Sequence, residues 1–331
     1  MRVVELTGVD GYLAFDLDCA LSVGGTRLAP HISRSEAVVL ARAMTFRHAV
    51  LGRRVGGAAA LLRATPETRD DILGRYVAEI HPLVERRSFL TFPDIGTRAE
   101  DLPAPSLTGT TTTHTALGIA VAAETALGGL RGRTLALYGF GDTAAALAAE
   151  ALTRGARVTA VATPHGTVHR SGGLDVPLLL HLRDRYGDAC VAHVGLPVHP
   201  PTALFTVNAD ILVPADRPGT LDAPRATRTP ARLIAPATLA PYTRTGLATL
   251  HARGVLALPD FVSTAGADVT PTTSRGHIEH TIATLTAQTL TTADGPYPAA
   301  CTLAVDFLHT WTPLPLPPPL LPDFTPARQG P

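Results

Sequence analysis

An apolar stretch, Thr134-Leu-Ala-Leu-Tyr138, runs straight into Gly139-Phe-Gly141-Asp-Thr-Ala144 and then into an alanine-rich segment. Few short patterns restrict a fold as tightly, because strand, glycine turn and helix must follow one another without a spacer. The first glycine of such a turn permits the tight reversal. The second lets backbone approach a pyrophosphate, and Ala144 keeps the helix close to the sheet while the helix N-terminus faces the phosphates. Gly139, Phe140, Gly141, Asp142 and Thr143 are therefore candidate dinucleotide-binding residues. The same turn also occurs in α/β domains that hold no nucleotide, so its surroundings matter.

Further apolar runs recur at Val158–Ala162, Val191–Val194, Ile211–Val213, Leu233–Ala235 and Val255–Leu258, the spacing of a doubly wound parallel sheet. The run after the glycine turn ends where an NAD-preferring site places Asp or Glu for the ribose hydroxyls. Here stands Thr163, with His165, His169 and Arg170 beyond it. With no carboxylate to repel a 2′-phosphate, the expected coenzyme is NADP or NAD, with NADP preferred.

The N-terminal third reads differently. Arg2–Ala20 alternates in places, as in Tyr12-Leu13-Ala14-Phe15, which predicts strands. After Pro30, Ser33 or Ser35 is placed to cap a helix through Val38, Val39 and Met44. A second helix is expected from Thr65 as cap with Pro66 in its first turn, carrying Ile72, Leu73, Tyr76, Val77 and Ile80 on one face and closing at Pro82. From Thr108 a threonine-rich turn leads into a helix over Ala116–Ala126. A further helix is expected over Ile278–Leu290, and the Pro-rich tail from Thr312 reads as extended or disordered.

The expectation is an α/β chain of two domains. Residues 1–110, rejoined by 285–331, form an α/β substrate and oligomerisation domain, and 111–284 a Rossmann-type doubly wound dinucleotide domain. A length of 331 residues with 45% hydrophobic content suffices for two cores. The 28 basic and 28 acidic side chains cancel without a basic run, which argues against nucleic acid and anionic membrane as partners and favours a small molecule. Three separated cysteines, Cys19, Cys190 and Cys301, fit a reducing cytoplasmic compartment. The first twenty residues, with Asp10, Asp16 and Asp18, read neither as a signal peptide nor as a span. His277-x-x-His280 lacks an evident third ligand, so no metal is expected.

Several segments together resemble the Glu/Leu/Phe/Val amino-acid dehydrogenases from about Tyr12 to Gly266. Val23-Gly24-Gly25-Thr-Arg27 is similar to the family's glycine turn beside the substrate, and Met44-Thr-Phe-Arg47 to its Met-Thr-aromatic-Lys motif. Gly52-Arg-Arg-Val-Gly56-Gly57-Ala-Ala59 resembles the Gly-rich stretch that ends in the catalytic lysine. Pro93-Asp94-Ile-Gly96-Thr97, Thr115-Ala-Leu-Gly118, Val158–Asp175, Ala209–Ala215 and Pro259–Gly266 complete the series. The resemblance implies a homo-oligomer, dimer or larger, a hinged cleft, and roles for Thr115 and Ala215 beside the coenzyme.

It also exposes a departure, for this chain contains no lysine and a single asparagine, Asn208. In the family one lysine shuttles a proton, a second fixes the substrate carboxylate, and an aspartate moves protons at the amine. The matching positions are Ala59, Arg47 and Asp94, and two family asparagines are matched by Leu239 and Thr264. A guanidinium grips a carboxylate but keeps its proton at any working pH, and a methyl group does neither. Loss of general acid–base assistance is worth about 10²–10⁴-fold in rate.

The expected function is thus an NAD(P)-dependent oxidoreductase redirected from ordinary amino-acid deamination to another small carboxylate-bearing imine, amine or carbonyl compound, in specialised bacterial metabolism. Asp94 is the candidate acid–base group, with His48 and His114 behind it. Gly24, Gly25, Arg27, Arg47, His48 and Ala59 are the candidate substrate residues. Two other readings stay open: a nucleotide-binding pseudoenzyme, and a lyase or isomerase without net redox change.

Overall fold

The computed structural model describes residues 1–103, 112–269 and 274–312, which divide into two compact units. The threonine-rich turn before residue 112 and the Pro-rich tail beyond residue 312 lie outside the described residues.

In the first unit β1 (Arg2–Glu5), β2 (Gly11–Phe15), β3 (Ser22–Ala29), α1 (Arg34–Val50), β4 (Gly56–Arg63), α2 (Arg69–Glu85) and β5 (Phe89–Pro93) follow in order. The strands lie as β1-β2-β4-β3-β5, with β3 parallel to β4 and β5, and β2 antiparallel to β1 and β4. Side chains alternate between the two faces. Ala58, Ala60 and Leu62 join Leu13, Phe15, Leu73, Tyr76 and Ile80 in a core on the α2 side. Gly57 faces α1 so closely that a Cβ would lie 2.1 Å from the Ala41 carbonyl oxygen. Helix α1 starts as its sequence suggests, with Ser33 Oγ accepting from Glu36 N at 3.1 Å.

Helix α2 begins and ends later than expected. Thr68 Oγ1 accepts from Thr65 N, so residues 66–68 form a turn of their own and the helix starts at Arg69. Pro82 lies inside it, tolerated near the end because Ile80 and Val84 on either side are buried.

The second unit contains α3 (Thr112–Leu127), β6 (Thr134–Tyr138), α4 (Asp142–Thr153), β7 (Arg157–Thr163), β8 (Gly166–His169), α5 (Val176–Tyr186), β9 (Ile211–Pro214), α6 (Ala223–Arg228), β10 (Leu233–Ile234), α7 (Arg244–Ala252), β11 (Leu256–Ala257), α8 (Asp260–Ser263) and α9 (Arg275–Thr289). Helix α10 (Pro296–His309) carries the chain from the second unit into the first. The strand order is β11-β10-β9-β6-β7-β8, parallel except for β8, which turns back on β7 as an antiparallel edge. Val191–Val194 is not a strand. Gly187 (φ +56°) ends α5, and residues 187–193 coil into a 3-10 turn that buries Cys190 and Val191 and packs on β7. Among the described residues no helix is long and apolar enough to cross a membrane.

Candidate coenzyme and substrate sites

In the second unit, sequence order reverses between β6 and β9: β7 lies beyond β6, while β10 and β11 lie beyond β9. Such a switch point leaves a crevice at the carboxyl ends of the two strands. Gly139 and Ala215 stand there side by side. Gly139 has φ +98°, and a Cβ on it would lie 2.6 Å from the Ala215 carbonyl oxygen, so both the turn and its neighbour require glycine. Phe140 is buried, whereas Gly141 and Asp142 are exposed and Thr143 half-buried. Gly141 is the N-cap of α4 and no side chain caps that end; a Cβ on it would meet nothing within 4 Å. Ala144 is buried beneath it. The arrangement fits a dinucleotide pyrophosphate, with open backbone in front of the N-terminus of α4 and close packing behind it.

The other candidate coenzyme residues are more varied. Thr163 is buried, its hydroxyl donating to the Asp188 carbonyl at 2.7 Å and accepting from His165 N at 3.2 Å. His165 is exposed at the tip of the β7–β8 hairpin. Thr115 lies half-buried in the first turn of α3, next to His114. That helix crosses the 264–268 turn at two glycines: a Cβ on Gly118 would sit 2.9 Å from the Ser263 carbonyl oxygen, and one on Gly266 2.1 Å from that of His114. Thr264 Oγ1 is taken up by the Asp260 carbonyl at 2.5 Å. His277 and His280 lie on α9, and no group of three or more His, Cys, Asp and Glu among the described residues could hold a metal.

In the first unit the candidate substrate residues other than Gly24 gather on the α1 face of the sheet. Gly25 is in register with Ala59 on one side and Phe92 on the other, and Arg27 with Leu61. Residues in register on parallel strands share a face, so Gly25, Arg27 and Ala59 lie on the side to which Gly57 points. Gly24 faces the opposite way and abuts the chain next to it, for a Cβ there would come within 1.7 Å of the Ala58 carbonyl oxygen. Arg47 and His48, on the last turn of α1, are buried, and His48 Nε2 lies 3.5 Å from the Val23 carbonyl oxygen.

Asp94 is held over this face by a turn pinned to β3. Thr97 Oγ1 donates to the Thr26 carbonyl at 2.7 Å and accepts from Asp94 N at 3.0 Å. A Cβ on Gly25 would be 3.0 Å from Asp94 Cβ, so glycine makes the room that the aspartate occupies. Arg27 Nε and Nη2 reach Asp94 Oδ2 at 3.1 and 3.0 Å, and Nη1 reaches Glu36 Oε1 at 3.0 Å. Burial alone lowers the Arg27 pKa, but Asp94 and Glu36 outweigh it and hold the guanidinium above its ordinary value. Arg27 therefore serves as an internal counter-ion.

A family model described as Glu/Leu/Phe/Val dehydrogenase, dimerisation domain, matches residues 10–105, and one described as Glutamate/Leucine/Phenylalanine/Valine dehydrogenase matches residues 106–272. The chain belongs to the Glu/Leu/Phe/Val dehydrogenase family. It is 27% identical over 280 residues to an NADP(+)-dependent glutamate dehydrogenase of Pyrobaculum calidifontis, covering 73% of this chain and 66% of that one. It is 27% identical over 275 residues to a catabolic NAD-specific glutamate dehydrogenase of Bacillus subtilis, covering 73% and 64%. The chain thus spans about two thirds of the length of these curated relatives. A hetero-hexameric glutamate dehydrogenase from Thermus thermophilus, solved with Leu bound, superposes with a TM-score of 0.79 at 24% identity, covering 91% of this chain and 84% of that one, which is a likeness of fold.

Within this family member, four charged side chains that the sequence reading did not place in a site stand near the candidate residues. Glu36 carried a signal, since Ser33-x-x-Glu36 is a capping-box pattern, yet its carboxylate serves Arg27. Asp16 and Arg42 form a buried ion pair between the end of β2 and α1, with Nε 2.7 Å from both carboxylate oxygens. Arg183 of α5 pairs with Asp142 at the start of α4.

Proposed function

We propose that this chain is an NAD(P)-dependent oxidoreductase that acts on a small carboxylate-bearing amine, imine or carbonyl compound other than the amino acids ordinarily oxidised in its family. The observation that carries the reading is the glycine turn at the β6–β9 switch point, open in front of α4 and tightly packed behind. A bound nicotinamide supplies or accepts a hydride. Gly139, Phe140, Gly141, Asp142 and Thr143 hold the pyrophosphate, with Thr115 and Ala215 beside the coenzyme.

In the first unit Arg47 binds the substrate carboxylate and Asp94 carries the proton at the reacting nitrogen or oxygen. Arg27 and Glu36 orient Asp94 rather than touch substrate. Ala59, with no ionisable group, is why ordinary deamination is not the reaction. NADP is the preferred coenzyme. Thr163 presents no carboxylate at the end of β7, its hydroxyl is already spent on the Asp188 carbonyl and His165 N, and His165 is exposed beside it. The protein works as a homo-oligomer, a dimer or larger, in the cytoplasm.

One observation favours a second reading, a coenzyme-binding pseudoenzyme: Asp94 already accepts from Arg27 at Oδ2 and from Ile95 N at Oδ1. A panel of 2-keto acids with ammonia, and of cyclic and acyclic imines, followed by loss of reduced nicotinamide absorbance, separates the two. Turnover that disappears in Asp94→Asn with coenzyme binding intact supports the oxidoreductase. Tight coenzyme binding without turnover anywhere on the panel favours the pseudoenzyme.

A further inference from the structure

We infer that the amino edge of the six-stranded sheet is a docking surface for an extended acidic segment of another protein. The chain carries no basic run, but its fold assembles one. Residues that enter neighbouring parallel strands lie side by side at one end of a sheet, and here they are repeatedly arginine. Arg232 N donates to the Asp210 carbonyl at 3.0 Å, Arg157 N to the Arg133 carbonyl at 2.8 Å, and Arg170 N to the Thr159 carbonyl at 2.8 Å. Arg131 joins them at the turn before β6, where a Cβ on Gly155 would lie 3.4 Å from its Cγ. Arg232, Arg133 with Arg131, Arg157 and Arg170 therefore stand in order across β10, β9, β6, β7 and β8, at the end of the sheet opposite Gly139 and Ala215. Arg131, Arg157, Arg170 and Arg232 are exposed, and among the described residues none of these four forms an ion pair.

The carboxylates close by have tasks within the fold. Asp210 accepts from Thr134 N at 3.0 Å and Thr134 Oγ1 at 2.9 Å and pairs with Arg133 at 3.5 Å, while Asp175 caps α5 by accepting from Leu178 N at 3.0 Å. Glu124, Glu150 and Glu279, on the adjoining helices, are taken up by Arg154 and Arg275. Arginine at a helix carboxyl end is explained by the helix dipole, whose pull fades beyond the last turn. That accounts for Arg228 and Arg253 at the ends of α6 and α7, the latter donating to the Ala226 carbonyl. It does not account for Arg157 on β7, for Arg170 just past β8, or for Arg131 and Arg232, which follow helices that end at Leu127 and Arg228. Guanidinium groups held in such a row repel one another, and an anion laid across them relieves the repulsion. Five strands about 4.8 Å apart make a row about 19 Å long, which an extended segment of about six residues spans with every second side chain facing it. Carboxylates suit the planar fork of arginine. A single nucleic acid strand is held by aromatic side chains as well as cations, and the residues of this row offer none.

The test is fluorescence anisotropy of a labelled oligoglutamate peptide titrated with the full chain at low and at high salt, each variant being checked by its thermal melt. The wild type binds at low salt and loses affinity as salt rises. Arg157→Gln/Arg232→Gln binds about 3- to 30-fold more weakly, the loss expected for two exposed ion pairs. Arg131→Gln/Arg170→Gln, on the same row, shows a loss of the same size. Arg34→Gln/Arg86→Gln, which removes as much charge from exposed positions of the first unit, binds as the wild type does. No binding at low salt, or an equal loss in all three variants, overturns the inference. Tighter binding of a labelled oligothymidylate of equal charge, with the same dependence on the row, also overturns it and assigns the edge to nucleic acid. A change in assembly size in the row variants overturns it in favour of contact between copies of this chain.

Discussion

Arg27→Met removes the cation that two carboxylates share. Arg27 is 5% exposed, Glu36 18% and Asp94 31%, with contacts of 3.0–3.1 Å. At about 3 Å and an effective dielectric near 20, each contact is worth roughly 5 kcal/mol of gross Coulomb attraction. Most of that is offset by the desolvation of Arg27, and both carboxylates recover some hydration once it is gone. Cutting one side of a buried pair costs about 3–5 kcal/mol; with Asp94 nearly a third exposed, about 2–4 kcal/mol is expected here. Arg27→Lys keeps the charge but not the fork and is expected to cost about half as much. Urea unfolding followed by emission of Trp311, the single tryptophan and a residue of the same unit, reads these losses. The double variant Arg27→Met/Asp94→Asn should lose less than the sum of its parts. A loss below about 1 kcal/mol for Arg27→Met would refute the view that this guanidinium positions Asp94.

The two glycines of the dinucleotide turn should separate stability from binding. Gly139→Ala meets the Ala215 carbonyl at 2.6 Å with φ +98° and should lower the melting temperature, whereas Gly141→Ala meets nothing and should melt like the wild type while weakening coenzyme binding. In the second unit Arg154 gathers Glu124, Glu150 and Glu279 from α3, α4 and α9, and Arg154→Met should cost about 2–3 kcal/mol, less than a deeply buried pair because Glu124 and Glu279 are more than a third exposed. Burial raises the Glu150 pKa, but hydrogen bonds from Arg275 and Arg154 win and hold it below its ordinary 4.5. Its contribution is therefore complete above that value and lost as pH falls through the lower folded pKa, so the gap between wild type and Arg154→Met should narrow in acid melts.

What could be read from the sequence was what depends on neighbours along the chain. The Ser33 cap, the β6–turn–α4 unit and the parallel runs at Ile211, Leu233 and Val255 are local patterns, and they appear as expected. Val191–Val194 has the composition of a strand, but an apolar run of four residues does not distinguish a strand from a turn that covers the end of one. Thr65 and Pro66 form a plausible cap, yet Thr68 takes that place by bonding back to Thr65 N. The partners of Arg27 were out of reach for a different reason. Asp94 is 67 residues away, and only the β3–β5 register brings it over Gly25. Arg42 and Asp16 meet across 26 residues in the same way.

If the proposed function holds, the protein binds coenzyme without the proton-shuttling amine of ordinary deamination. The most direct measurement is the initial rate of glutamate, leucine, phenylalanine and valine oxidation with NAD and NADP, on protein whose coenzyme binding has been verified by titration. Bound coenzyme with no rate above background is the predicted result. Oxidation of any of the four at a rate ordinary for this family contradicts the account.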